Sequence, residues 1–157
     1  MNKIPMTSEG YLKLQEELKK LTSHDRPNII AAIAEARSHG DLSENAEYQY
    51  AKEQQSLIEG RISDLESSIS RAEIIDIKSI SGDEIKFGAT VEIEDDDTGK
   101  KQKYQIVGEY ESDIDNKKLS INSPLARGLI GKIKDDSVEI NSPKGIKSYT
   151  IISVKYI

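Results

Sequence analysis

The chain has no cysteine, no tryptophan, one phenylalanine and four prolines among its 157 residues. Without thiols there is no disulfide scaffold, no thiolate metal site and no cysteine nucleophile, which suits a reducing compartment. With 32% charged residues and few large aromatics, a deep aromatic ligand pocket is not expected. No stretch approaches the roughly 20 apolar residues that span a bilayer, and Met1-Asn2-Lys3-Ile4-Pro5-Met6 lacks the apolar run of a signal peptide. A soluble, cytoplasmic protein with no membrane partner is expected. Excess positive charge is missing as well. A net charge of −6 excludes a general nucleic-acid binder that neutralises many phosphates, so any nucleic acid must be met locally or through a partner. His24 and His39 have no acidic or histidine partner at ligand spacing and read as surface residues.

What is present is a helical pattern that folds back on itself. Leu14 and Ile69, Leu18 and Leu65, Leu21 and Ile62, Ile33 and Tyr50, and Arg37 and Ala46 have position numbers that each add to 83. A constant sum is what two antiparallel helices require when their apolar stripes face each other. The bend falls at Gly40-Asp41. Ser8 is expected to cap the first helix. Pro27, which lacks an amide hydrogen, predicts a kink or break between two helical pieces, opposite a polar stretch at Gln54, Gln55 and Ser56. From Leu14 to Asp41 such an arm reaches roughly 40 Å at 1.5 Å per residue.

After Glu73 the period becomes alternating. Strands are expected at residues 74–77, 89–93, 104–107, 138–140 and 149–154, with turns at 95–100 and 142–145. Ser123-Pro124-Leu125-Ala126-Arg127-Gly128-Leu129-Ile130-Gly131-Lys132 suits a short helix with Ser at the cap and Pro at its first position. The fold class is therefore α+β: an antiparallel α-helical coiled-coil hairpin over 1–75, a linker over 76–83, and a small domain with a mainly antiparallel sheet over 84–157.

The bend is acidic, reading Asp41-Leu42-Ser43-Glu44-Asn45-Ala46-Glu47-Tyr48. Asp41 and Glu44, three apart, can pair as hard oxygen ligands for a divalent cation. The same spacing fits a capping box in which Asp41 caps the second helix and Glu44 reaches back, and on spacing alone that is the simpler reading. Two exposed carboxylates hold Mg²⁺ weakly, so a metal role needs ligands from elsewhere. Arg37 and Lys52 flank the bend, either as phosphate contacts or as ordinary surface charges. Asp95-Asp96-Asp97 lacks the spacing of a calcium loop and reads as a solvated turn. No Gly-rich phosphate loop and no nucleophile with a base is present, so a self-sufficient enzyme is not expected.

The stretch from Arg37 to Tyr48 resembles the tip signature of the bacterial Gre transcript-cleavage factors, and residues 123–132 resemble their second signature. Ile4-Pro5-Met6-Thr7 and residues 26–36 are similar as well, so the resemblance covers essentially the whole chain, and its acidic balance is that of the GreA type. The resemblance implies a C-terminal domain with the FK506-binding-protein-like fold that docks on bacterial RNA polymerase, with Ser123, Pro124 and Arg127 as docking candidates. It implies a coiled coil that enters the secondary channel. There Asp41 and Glu44 would help hold a second Mg²⁺ shared with the polymerase, the chain having no cofactor of its own, so that the polymerase cuts the 3′ end of backtracked RNA. Arg37 and Lys52 would meet RNA phosphates, and Ser43, Asn45 and Tyr48 would shape the tip. A monomer that is not itself an enzyme is expected.

Three other functions are considered. A peptidyl-prolyl isomerase would need a proline pocket walled by aromatics, for which the second half offers Phe87, Tyr104, Tyr110, Tyr149 and Tyr156. An inhibitory channel-binding relative would carry a different acidic cluster at the tip. A plain coiled-coil adaptor would leave the acidic tip unused.

Overall fold

A computed structural model describes residues 2–40 and 45–157. It divides into two compact units, Tyr11–Ala72 and, taken together, Asn2–Gly10 with Glu73–Ile157. The architecture is mixed α+β. Among the described residues no helix is long and apolar enough to cross a membrane.

The hairpin is made by α1 (Ser8–Lys20), a π-helical turn at Leu21–Asp25, α2 (Arg26–Arg37) and α3 (Ala46–Ser70). Thr7, not Ser8, caps α1: its Oγ1 accepts a 3.0 Å hydrogen bond from the Gly10 amide, and Ser8 is already helical. Along α3 the seam positions Tyr48, Ala51, Gln55, Ile58, Ile62, Leu65 and Ile69 step by three and four without a slip, with half-buried Gln54 and buried Ser68 flanking them. The opposing positions are Leu14, Leu18, Leu21, Asp25, Ile29, Ile33 and Ala36, with three consecutive steps of four between Leu21 and Ile33. One residue has been added to the first side of the hairpin.

The π turn supplies that residue. A hydrogen bond from the Arg26 amide to the Leu21 carbonyl closes a ring of five residues instead of four, as π turns do. The helix therefore runs through Pro27 rather than breaking there, and Pro27 sits in the first turn of α2. Because the helix is continuous there, the missing amide hydrogen leaves one carbonyl of the preceding turn without its helical donor. Thr22 Oγ1 donates to the Leu18 carbonyl (3.0 Å) and Ser23 Oγ to the Lys19 carbonyl (2.5 Å), giving these backbone acceptors partners at the wider turn.

The seam changes register as a result. Toward the base, facing positions still add to 83; beyond the π turn Ile29 matches Gln55, Ile33 matches Ala51 and Ala36 matches Tyr48, adding to 84. The expected pairs Ile33 with Tyr50 and Arg37 with Ala46 do not form the seam, since Tyr50 is 64% exposed while Ala51 and Ala36 are buried. Two bidentate ion pairs cross beside the seam, Glu17 with Arg61 and Arg26 with Glu59, at 2.6–2.8 Å. Hydrogen bonds from the arginines hold both carboxyls below the ordinary carboxylate value. The stability these pairs add is complete above that value and lost as pH falls through the lowered pKa; being exposed, the pairs add little.

The second unit is built on a five-stranded sheet ordered β5-β4-β3-β7-β6, from β3 (Thr90–Asp95), β4 (Lys101–Val107), β5 (Lys118–Ser120), β6 (Ser137–Ser142) and β7 (Gly145–Lys155). All neighbours are antiparallel except β4 with β5. Val91, Ile93, Tyr104, Ile106 and Ile151 face one core with Ala126 and Leu129 of α4 (Pro124–Leu129). Opposite Glu92 and Ile93 the register of β7 slips by one, so Ile152 is the extra residue of a bulge. Tyr149 and Ile151 on one side of the bulge and Val154 on the other can then all pack on the core.

Two strands were not expected from the sequence, β5 and β1 (Ile4–Thr7), the latter pairing with β2 (Ala72–Ile75) in a separate two-stranded sheet. Each has only three or four residues, and β1 contains Pro5, which a sheet edge tolerates. Within 76–83 lies a 3₁₀ turn, Ile77–Ser79, capped by Asp76.

The register shift makes a stability prediction. Ile33→Ala should cost about 2 kcal/mol or more in urea unfolding, whereas Tyr50→Ala should stay within about 0.5 kcal/mol. The reverse order would return Tyr50 to the seam.

Candidate functional site at the hairpin bend

The rims of the bend are ordered by backbone and by one side chain. At the end of α2 the amides of Ser38, His39 and Gly40 donate to the carbonyls of Glu35, Ala36 and Arg37, and Gly40 then turns at φ +112°, a value only glycine adopts freely. Asn45 opens the return. Its Oδ1 accepts from the Tyr48 amide at 3.1 Å, so Asn45 is the N-cap of α3, and its Nδ2 donates to the Ala36 carbonyl at 2.7 Å. One amide side chain thus caps one helix and ties it to the last turn of the other.

This corrects the capping reading of the acidic residues. The cap of α3 is Asn45, and the first turn of that helix begins at Ala46, beyond Glu44. Asp41, Ser43 and Glu44 themselves lie outside the described residues. Asn45, expected to shape the tip, caps α3 and ties it to the end of α2, and an Asn directly before an acidic first turn was a legible cap signal.

Arg37 and Lys52 are brought together. Both are exposed, and both line one open groove with Ile30, Ile33, Ala34 and Gln55. The Arg37 guanidinium sits 5.8 Å from the centroid of the Tyr48 ring, and Lys52 Nζ donates to Gln55 Oε1 at 3.1 Å. Tyr48, half-buried, therefore supports Arg37 by a cation–π contact. The groove presents two cations on an apolar floor.

The docking candidates in the second unit separate by role. Ser123 is occupied structurally: its Oγ donates to the Ser120 carbonyl and accepts from the Ala126 amide, capping α4. Gly128 lets α4 approach β6, since a Cβ there would lie 2.3 Å from Ile140 Cδ1. Pro124 and Arg127 are exposed. The acidic triplet is an ordered turn, with Asp95 accepting from the amides of Asp97 and Thr98, and Asp96 from the hydroxyls of Ser148 and Thr150. Backbone hydrogen bonds from Asp97 and Thr98 lower the Asp95 pKa, and the two hydroxyls lower that of Asp96. Among the described residues no group of three or more histidine or acidic side chains could hold a metal ion.

Two family models match, the transcription elongation factor N-terminal domain over residues 4–74 and the GreA/GreB C-terminal domain over residues 80–156. The chain is 56% identical over the full length of both chains to the transcription elongation factor GreA of Mesorhizobium japonicum. It is 61% identical to that of Bradyrhizobium diazoefficiens, over 99% of each chain. The crystal structure of the GreA factor homolog 1 protein of Thermus thermophilus is 27% identical, with a TM-score of 0.46 over 98% of this chain and 99% of that one. The chain belongs to the GreA/GreB family of transcription elongation factors.

The clamp is testable on its own. Asn45→Ala should lower stability by about 1 kcal/mol, the usual cost of a lost N-cap. Asn45→Asp keeps the cap acceptor but loses the donor to Ala36, so it should fall between wild type and Asn45→Ala in urea unfolding.

Proposed function

We propose that this chain binds bacterial RNA polymerase through its C-terminal unit, passes the hairpin into the secondary channel and stimulates the polymerase's own cleavage of the 3′ end of backtracked RNA. On this reading it rescues arrested complexes, has no catalytic activity of its own and works as a monomer in the cytoplasm. The observation that carries the reading is the Asn45 clamp between the ends of α2 and α3 and the groove bearing Arg37 and Lys52, on the two helices that the acidic sequence Asp41 to Glu44 joins.

Two carboxylates are hard oxygen donors and suit Mg²⁺, but they are too few to hold it alone. The donor set fits an ion whose other ligands come from the polymerase. Such an ion, when bound, stabilises the attacking and leaving oxygens of an in-line phosphoryl displacement. Asp41 and Glu44 would complete its ligand set, and Ser43 would help shape the tip. Arg37, steadied on Tyr48, and Lys52 would hold phosphates of the displaced RNA end as charge-assisted donors. Asn45 would keep the two rims closed. Pro124 and Arg127 would face the polymerase, while Ser123 orders the turn that presents them.

The C-terminal unit is read as FK506-binding-protein-like, yet three of the five aromatics that a proline pocket would draw on are already engaged. Tyr104 belongs to the core, Tyr149 and Tyr156 pack against it, and the Tyr156 hydroxyl is engaged by the Glu84 carbonyl and the Lys86 amide.

In a stalled polymerase complex, Asp41→Ala or Glu44→Ala should reduce stimulated RNA cleavage by at least about a hundredfold, the scale of losing a group used only in the transition state. Binding to the polymerase should hold, and part of the loss should return at high Mg²⁺. Wild-type cleavage by either variant at limiting Mg²⁺ would remove the metal-ligand role.

A further inference from the structure

The hairpin's first helix begins inside the second unit, where one carboxylate holds it. Glu111 closes a 3₁₀ turn, Glu109–Glu111, directly after β4. Its Oε2 accepts from the Thr7 amide at 3.0 Å and from the Gly108 amide at 2.9 Å, and its Oε1 accepts from the Thr7 hydroxyl. That hydroxyl is also the cap of α1, accepting from the Gly10 amide. A single side chain 104 positions away in sequence thus secures the residue that starts the helix.

The contact is close-packed as well as hydrogen-bonded. A Cβ on Gly10 would lie 1.8 Å from Glu111 Oε1, and one on Gly108 would lie 2.3 Å from the Pro5 carbonyl oxygen. Met6 and Thr7 are buried, at 0% and 4% exposure. The carboxylate also stands at the N-terminal turn of a 13-residue helix, where negative charge is favoured. Hydrogen bonds to a charged acceptor are roughly twice as strong as neutral ones. Nothing in the chemistry of the bend uses Glu111.

We propose that Glu111 is a positioning residue for stimulated RNA cleavage: through Thr7 it fixes the first turn of α1, the helix from which the hairpin continues. The idea rests on the function proposed above. It touches neither RNA nor metal, so its loss should lower how well the tip works once bound rather than how tightly the protein binds.

The test uses the full-length chain as Glu111→Ala and Glu111→Gln. Glutamine can turn its carbonyl oxygen to the two amides and its NH₂ to the Thr7 hydroxyl, so it should restore most of what alanine loses. In Glu111→Ala, amide hydrogen exchange at Thr7, Gly10 and Gly108 should quicken about tenfold or more, the scale of losing one charged hydrogen bond. Exchange at Leu65 and Ile106 should not change. With polymerase, maximal cleavage at saturation should fall about tenfold while the half-saturating concentration holds. Full cleavage by Glu111→Ala, or loss of binding in step with cleavage, would overturn the positioning role. Equal failure of alanine and glutamine with unchanged exchange would overturn it too, pointing to a charge that meets the partner. If the wild-type chain stimulates no cleavage, the proposed function fails and the positioning role with it, while the exchange pattern still decides whether the latch exists.

Discussion

A two-helix arm has one seam, and every residue that keeps the helices together must face it. No third layer compensates for a stripe that rotates away, and isolated helices of this length are marginal in water. The facing of Leu14, Leu18, Leu21, Ile33 and Ala36 against α3 is therefore the constraint on which the acidic bend depends. The π turn at Leu21–Asp25 allows an odd residue and a proline to enter the first side without breaking the helix. It absorbs the insertion locally and returns Ile33 and Ala36 to the seam one register later. Asn45 then closes the far end by bonding to the carbonyl of Ala36, itself a seam residue. Placement of the bend thus passes from apolar packing, through one widened turn, to one side-chain clamp.

Much of this was legible in the sequence. The three-and-four stepping of α3 is visible from Ile58 onward, and with the constant sum it located the hairpin and its bend, whereas nearer the bend Ala46 and Tyr50 stood in for the true seam residues Tyr48 and Ala51. The β3–β4 and β6–β7 hairpins follow from alternation around turn residues. Ser123 and Pro124 marked α4 because cap and first-turn preferences are local rules that tertiary contacts did not override. The family signatures at the bend and near α4 led to the family that the domain matches then showed.

What escaped has physical reasons. Pro27 ordinarily stops a helix, and no sequence rule shows that a π turn will receive it. β1 and β5 are too short for a period to show. The bulge at Ile152 hides in a run of apolar residues that reads as one strand. Glu111 carries no local signal, since its partner Thr7 lies at the other end of the chain and only the fold brings them together. The spacing of Asp41 and Glu44 fits a cap as well as a cation pair, and only the structure shows that the helix begins at Ala46, capped by Asn45.

The central claim is that the bend acts by being delivered to a fixed distance, and arm length tests it most directly. Deleting residues 14–20 together with 63–69 removes one facing heptad from each side on the base side of the π turn. Leu21 remains opposite Ile62, and the tip residues and Asn45 clamp are untouched. The arm shortens by about 10 Å at 1.5 Å per residue, far more than an oxygen ligand at about 2.1 Å from Mg²⁺ can absorb. Measured beside helicity by circular dichroism and binding to the polymerase, RNA cleavage in a backtracked complex should disappear while the other two persist. Full cleavage by the shortened, folded and bound protein would contradict the account.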